Sequence, residues 1–179
     1  MGWFNTVQNG IYLCLCSTFG LSPASSDAKA RFAPAYLPNA TTPQAQRNAN
    51  VCYYAVSERQ GTAHDYVVSD YRLKKTSTVI PATVLLTFYG PNADNDAEAF
   101  WSDVQTDYDP SSGRGALRKL NILIDGRPDR PVSLFETEGT YHRRRCDVRL
   151  DLLVMETKDA VYNPVTVPPD FEGGIFYQL

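Results

Sequence analysis

The clearest pattern of apolar and polar positions lies in the stretch TYHRRRCDVRLDLLVME, residues 140–156. Every second position in its second half is apolar, and this set is Cys146, Val148, Leu150, Leu152 and Val154. The positions between them are mostly charged, with alternating sign, and are Arg145, Asp147, Arg149, Asp151 and Leu153. A period of two sends successive side chains to opposite faces of a strand. The sequence therefore predicts one long β-strand with an apolar face and a charged face.

Three stretches in the middle of the chain are rich in β-branched and aromatic residues, which are enriched in strands. They are residues 50–58, 64–75 and 78–90. The first two are separated by RQGTA, which contains Gly61 and predicts a hairpin loop. Pro81, in the third stretch, has no N–H to donate to a strand ladder. We therefore expect Pro81 at the start of that strand or on a sheet edge.

Helical spacing of apolar residues predicts two longer helices. The first ends near Gly20 and carries its apolar face at Phe4, Val7, Ile11 and Leu15. The second covers about residues 93–108, and its apolar face holds Ala97, Phe100, Trp101, Val104 and Tyr108. The later stretch RGALRKLNILI predicts a short helix followed by a short strand.

The predicted order is helix, arm, three strands, helix, short helix and long strand. Because strands and helices are segregated, this order predicts an α+β fold, with an antiparallel sheet of about four to five strands and helices packed on one face. The length of 179 residues suits a single domain. Its predicted parts are an N-terminal helix (1–21), an extended arm (22–49), an α+β core (50–168) and a C-terminal tail (169–179).

The arm and the tail show neither strand nor helix periodicity. The arm is rich in Ala, Pro, Asn, Ser and Thr, and the tail is interrupted by Gly but aromatic. Free segments of such composition are normally disordered. We expect both to be extended and to wrap adjacent subunits or other partners, with Phe171, Phe176 and Tyr177 of the tail as contact residues.

Composition narrows the function classes. The net charge of −3 argues against a dedicated nucleic-acid binder, which usually carries a basic excess. Four cysteines without a C-x-x-C pair and only two histidines do not suit a structural zinc site, so we expect buried, reduced thiols. The N-terminal apolar run is shorter than the about 20 residues of a membrane span and lacks the basic residues of a signal peptide. We predict no membrane association.

Asp94, Asp96 and Glu98 lie within five positions of FYGPNADNDAEAFWSDVQ and are the candidates for a metal or acid/base site. They lack the Gly and the closing Glu of a calcium loop. They also follow a Gly-Pro break, and acids in the first turn of a helix are stabilised by the helix dipole. We favour the interpretation that these carboxylates begin a helix.

Other catalytic patterns are scarce. The sequence has no nucleotide-binding, serine-hydrolase or metalloprotease motif. His64 and Asp65 are adjacent in a predicted strand and should point to opposite faces, which does not suit a base and its orienting acid. We predict no catalytic, metal-binding or cofactor-binding residue and no cofactor.

The basic cluster of the long strand is the best candidate for a phosphate-facing surface and consists of His142, Arg143, Arg144, Arg145 and Arg149. Alternatively, these arginines form ion pairs within the chain, because Asp147 and Asp151 share a strand face with Arg145 and Arg149. Alternating charge suits the selection of an identical neighbour, since complementary charge sets partner choice more than affinity. We favour a solvated or subunit-facing stripe, and contact with DNA stays open as the alternative.

The chain also resembles a known family. The junction FYGPNA (88–93) and the segment EGTYHRRRCDVRLDLLV (138–154) carry the likeness, with LRKLNILI between them and VTVPP after them. In this order they resemble the neck terminator proteins of tailed bacteriophages, which belong with the tail-terminator or tail-completion proteins. The likeness covers about residues 50–168.

The resemblance implies an α+β subunit that forms a ring, typically a hexamer, on the last ring of the tail tube. Such a ring stops tube growth, meets the neck or connector protein, and in contractile phages also meets the tail sheath protein. Genomic DNA passes through its lumen without sequence-specific binding, and no catalysis and no cofactor are implied. We expect a virion protein of the tail and neck region, made in the cytoplasm of the bacterial host.

The expected contact residues between subunits are Arg143, Arg145, Asp147, Arg149, Asp151, Phe171, Phe176 and Tyr177. Three alternatives stay open. The chain could be another head–tail connector or tail structural protein, a DNA-binding module that uses the patch from Arg143 to Arg149, or a small metal-dependent enzyme that uses the three clustered acids.

Overall fold

The computed structural model describes residues 2–35, 49–59, 67–70, 75–106, 109–138 and 141–159. Within that part, four helices pack on one face of a seven-stranded sheet. The helices are α1 (Trp3–Thr18), α2 (Ser26–Arg31), α3 (Ala93–Gln105) and α4 (Gly113–Arg118). The strands are β1 (Phe32–Pro34), β2 (Val51–Glu58), β3 (Val67–Asp70), β4 (Lys75–Tyr89), β5 (Ile122–Ile124), β6 (Val132–Glu138) and β7 (Tyr141–Asp159).

The two longest strands form the centre of the sheet. β4 and β7 are antiparallel and pair from Lys75 opposite Asp159 to Tyr89 opposite Arg145. β2 and β3 lie along the other side of β4, and β5 and β6 lie along the other side of β7. β1 joins β2 in parallel, whereas the other described pairings are antiparallel. The sheet is therefore mixed, and the predicted α+β class is confirmed while the purely antiparallel sheet is not.

The predicted hairpin between the first two middle strands is wrong. β2 and β3 both run antiparallel to β4, so they follow one another in the same direction along its edge. The reversal occurs instead between β3 and β4, where Asp70 pairs with Lys75. Gly61, on which the hairpin prediction depended, lies outside the described residues.

Pro81 lies inside β4 and not at its start or on an edge. It pairs with Leu153 of β7, and its carbonyl accepts a hydrogen bond from the Arg59 backbone N–H. In an antiparallel strand the backbone nitrogen and the carbonyl of one residue point toward the same neighbouring strand, so the nitrogen of Pro81 points away from β7, as its carbonyl does. On that side β2 ends opposite Ala82 and β3 begins opposite Thr78, so neither of these two described strands needs the donor that proline lacks.

The apolar face of β7 confirms the period-two prediction. All five apolar residues of the alternating set are buried and face the helices. In α1, Val7, Ile11 and Leu15 are fully buried, but Phe4 is 41% exposed and does not belong to the core. In α3, Ala97, Phe100 and Val104 are buried. Trp101 is half-buried and donates its indole N–H to the Pro128 carbonyl at 3.2 Å, and Tyr108 lies outside the described residues.

Part of the predicted arm folds onto the core. The Ser25 hydroxyl accepts the Ala28 N–H at 3.1 Å and caps α2, which has Asp27 in its first turn and Lys29 in its last turn. β1 follows directly and pairs with β2. The prediction of an extended segment is therefore wrong for α2, whereas β1 is extended but belongs to the sheet. The rest of the arm from 36 to 48 and the tail from 169 to 179 lie outside the described residues.

The four cysteines are unpaired and buried, as predicted. Burial raises the pKa of Cys14 and of Cys52 well above the usual thiol range. Burial also raises the pKa of Cys146, to about 11, with Asp94 as the next cause. These thiols stay protonated at neutral pH and pack as apolar side chains. In the part of the chain that the structure covers, no helix is long and apolar enough to cross a membrane.

Candidate subunit interface

The helices cover one face of the sheet, and we call the other face the open face. It is formed by the odd-numbered side chains of β2, β4 and β7, together with the side chains of β5 and β6 that pair with odd-numbered residues of β7. Leu85 of β4 lies between Ala55 of β2 and Arg149 of β7. Val132 and Leu134 of β6 pair with Asp147 and Arg145, which places both on the same face.

The open face carries most of the large exposed hydrophobic side chains of the described residues. Among the described residues, seven large hydrophobic side chains are exposed, and five of these lie on this face. The five are Leu85, Leu123, Val132, Leu134 and Met155. Isolated exposed apolar residues are normal, but a group on one sheet face is typical of a protein–protein contact surface.

Two pairs of opposite charges lie along β7 on the open face. Arg145 donates two hydrogen bonds to Asp147, from Nε at 2.8 Å and from Nη2 at 2.7 Å. Arg149 contacts Asp151 at 3.3 Å. The predicted pairing within the stripe is confirmed, and the stripe is close to neutral overall.

Asp151 joins the stripe to the neighbouring strands. It accepts a hydrogen bond from the Thr83 hydroxyl at 2.7 Å and lies 3.6 Å from Arg59, which contacts Asp125 at 2.6 Å. Partial burial alone would raise the pKa of Asp151, but the Thr83 hydrogen bond and the charges of Arg149 and Arg59 lower it overall. The carboxylate is therefore ionised at neutral pH.

The predicted basic cluster does not form one surface. Arg143 and Arg145 lie on the open face, whereas Arg144 points to the helix side and contacts Asp94 at 2.8 Å. Arg143 stacks over the Tyr89 ring with its guanidinium carbon 4.2 Å from the ring centroid. Burial and a hydrogen bond to Glu136 raise the pKa of Tyr89. The side chain of His142 lies outside the described residues.

The three clustered acids do not converge. Asp94 and Asp96 lie in the first turn of α3, as predicted for a helix entrance. Asp94 accepts from the Ser133 hydroxyl and contacts Arg144, whereas Asp96 contacts Arg31 of α2 at 2.7 Å. Glu98 is exposed. Among the described residues, no group of three or more His, Cys, Asp or Glu side chains could hold a metal ion.

Sequence reasoning missed strand β6 and the apolar part of the open face. The available signal for β6 was the β-prone run VSLF after Pro131. Of the predicted contact residues, the structure brings together Arg143, Arg145, Asp147, Arg149 and Asp151 on the open face. The other three predicted contact residues, Phe171, Phe176 and Tyr177, lie outside the described residues.

A helical layer on one side of a sheet and an open face with paired charges do not by themselves identify a family, because many unrelated proteins share a fold. The site is a candidate surface for association, since its apolar and paired charged groups suit a protein partner. Neither the models of known protein families nor the sequences of curated proteins give a match for this chain.

Proposed function

We propose that this chain is a structural virion subunit of a tailed bacteriophage that assembles with copies of itself into a ring. In this proposal the ring ends the tail tube and joins the tail to the neck, and genomic DNA passes through its lumen. The tube protein and the neck or connector protein are its neighbours, with the sheath protein added in a contractile tail. The observation that carries the proposal is the open face, where five exposed apolar side chains surround a stripe of paired charges.

Pairing makes this face suitable for burial against protein. Burying an isolated charge is costly, and the cost falls when the charge is already paired and hydrogen-bonded. Arg145 and Asp147 form a bidentate pair before any partner is bound. Full burial of an aliphatic side chain contributes about 1.5–3 kcal/mol. The apolar side chains therefore supply the driving force for association, and the paired charges select the partner.

The same pairing argues against a DNA-binding module. Affinity for DNA comes largely from the release of counterions when free basic side chains meet phosphates. Arg144, Arg145 and Arg149 each contact an aspartate of this chain. They are already neutralised, as suits a lumen that DNA passes through without tight binding.

The molecular mass in solution tests the proposal. We expect the purified chain to form a closed oligomer of defined number, visible as a ring by electron microscopy, and to dock on tails that lack this protein. Leu85→Glu together with Met155→Glu places two charges on the open face and should reduce the oligomer to monomers. Phe4→Glu is the matched control, because Phe4 is similarly exposed but lies on α1.

A native chain that stays monomeric at high concentration would contradict the proposed ring. If the variant with Leu85→Glu and Met155→Glu still forms the native oligomer, the ring is compatible with the result but the open face is not the contact between its subunits. Docking on a head connector instead of a tail would favour the alternative of another head–tail connection protein.

A further inference from the structure

We draw no further inference here: the strongest candidate, the guanidinium of Arg143 over the Tyr89 ring on the open face, has two buried nitrogens without a hydrogen-bond partner among the described residues, but it belongs to the surface already described and nothing in the structure shows what group would meet it.

Discussion

Asp151 interacts with three neighbouring side chains, and its ionisation is linked to the stability of the fold. Thr83 donates to it, and Arg149 and Arg59 lie within ion-pair distance. These groups lower the pKa of Asp151 relative to the unfolded chain. A lowered pKa stabilises the fold above the unfolded pKa, about 3.9 for Asp. That contribution is lost as the pH falls through the folded value.

Asp151→Asn should therefore lower the free energy of unfolding by roughly 1 kcal/mol at neutral pH, because the side chain is only partly buried and solvent screens its partners. The difference from the native chain should begin to shrink as the pH falls below about 4 and should vanish only below the lowered pKa of the folded state, where the native carboxyl is also neutral. Urea denaturation at several pH values measures both effects.

Asp129→Asn is the control for this change, since Asp129 is an exposed carboxyl in the loop before β6. It should alter the free energy of unfolding by less than about 0.5 kcal/mol. A loss of equal size at acid and neutral pH in the Asp151 variant would show that the effect is steric and not electrostatic.

The elements that could be predicted from the sequence are those with one buried side and one exposed side. In such elements the apolar residues must recur with the period of the helix or strand. β7 from Cys146 to Val154, α1 from Val7 to Leu15, and α3 each face the core with one side, so their apolar residues follow the period of the element there. The charged stripe of β7 was predictable for the same reason. Its pairing followed from the spacing of two residues between Arg145 and Asp147 and between Arg149 and Asp151.

The elements that were missed lack this one-sided burial. β6 is exposed on both faces, so nothing imposes alternation, and Leu134 and Phe135 are adjacent apolar residues that point to opposite sides. β1 has three residues, too few to show a period, and its parallel pairing with the next strand, Phe32 opposite Cys52, leaves no pattern in the sequence. The apolar residues of the open face were missed because the sequence does not distinguish an exposed apolar strand residue, such as Leu85, from a core residue.

Arg31 connects the unit formed by α2 and β1 to α3 and α1. Arg31 contacts Asp96 of α3 at 2.7 Å, and its guanidinium carbon lies 4.3 Å from the centre of the Phe19 ring. Arg31→Met removes the ion pair and the cation–π contact but keeps most of the side-chain length. We expect amide exchange in residues 26–34 to become at least about fivefold faster, since segments with few buried contacts open locally.

Global stability should change much less than local exchange in this variant, because the β4–β7 pair and the apolar core are untouched. Lys29→Met is the matched control on the same helix, and it should leave the exchange rates of α2 near those of the native chain. If exchange accelerates equally in β4 and β7, the segment unfolds only together with the whole protein.

At the scale of the whole molecule, the sheet separates two surfaces of different character. The helix side is closed by a buried apolar core, and the open face combines exposed apolar side chains with charges that cancel. The net charge of −3 hides this arrangement, because Arg145 and Arg149 of β7 are neutralised locally by Asp147 and Asp151. Without these aspartates the stripe would be a basic surface, and with them its charges cancel, which suits contact with a protein.

Asp147→Asn together with Asp151→Asn should convert the stripe into a basic surface. Arg145 and Arg149 would then be free to meet phosphates, and affinity for duplex DNA at low salt should rise above that of the native chain. The slope of log affinity against log salt should steepen by about 0.9 for each new phosphate contact. Asp27→Asn together with Asp129→Asn changes the net charge equally at exposed sites elsewhere, and should leave affinity unchanged. An equal gain in both double variants would mean that total charge, and not the pairing in the stripe, keeps the chain from binding DNA.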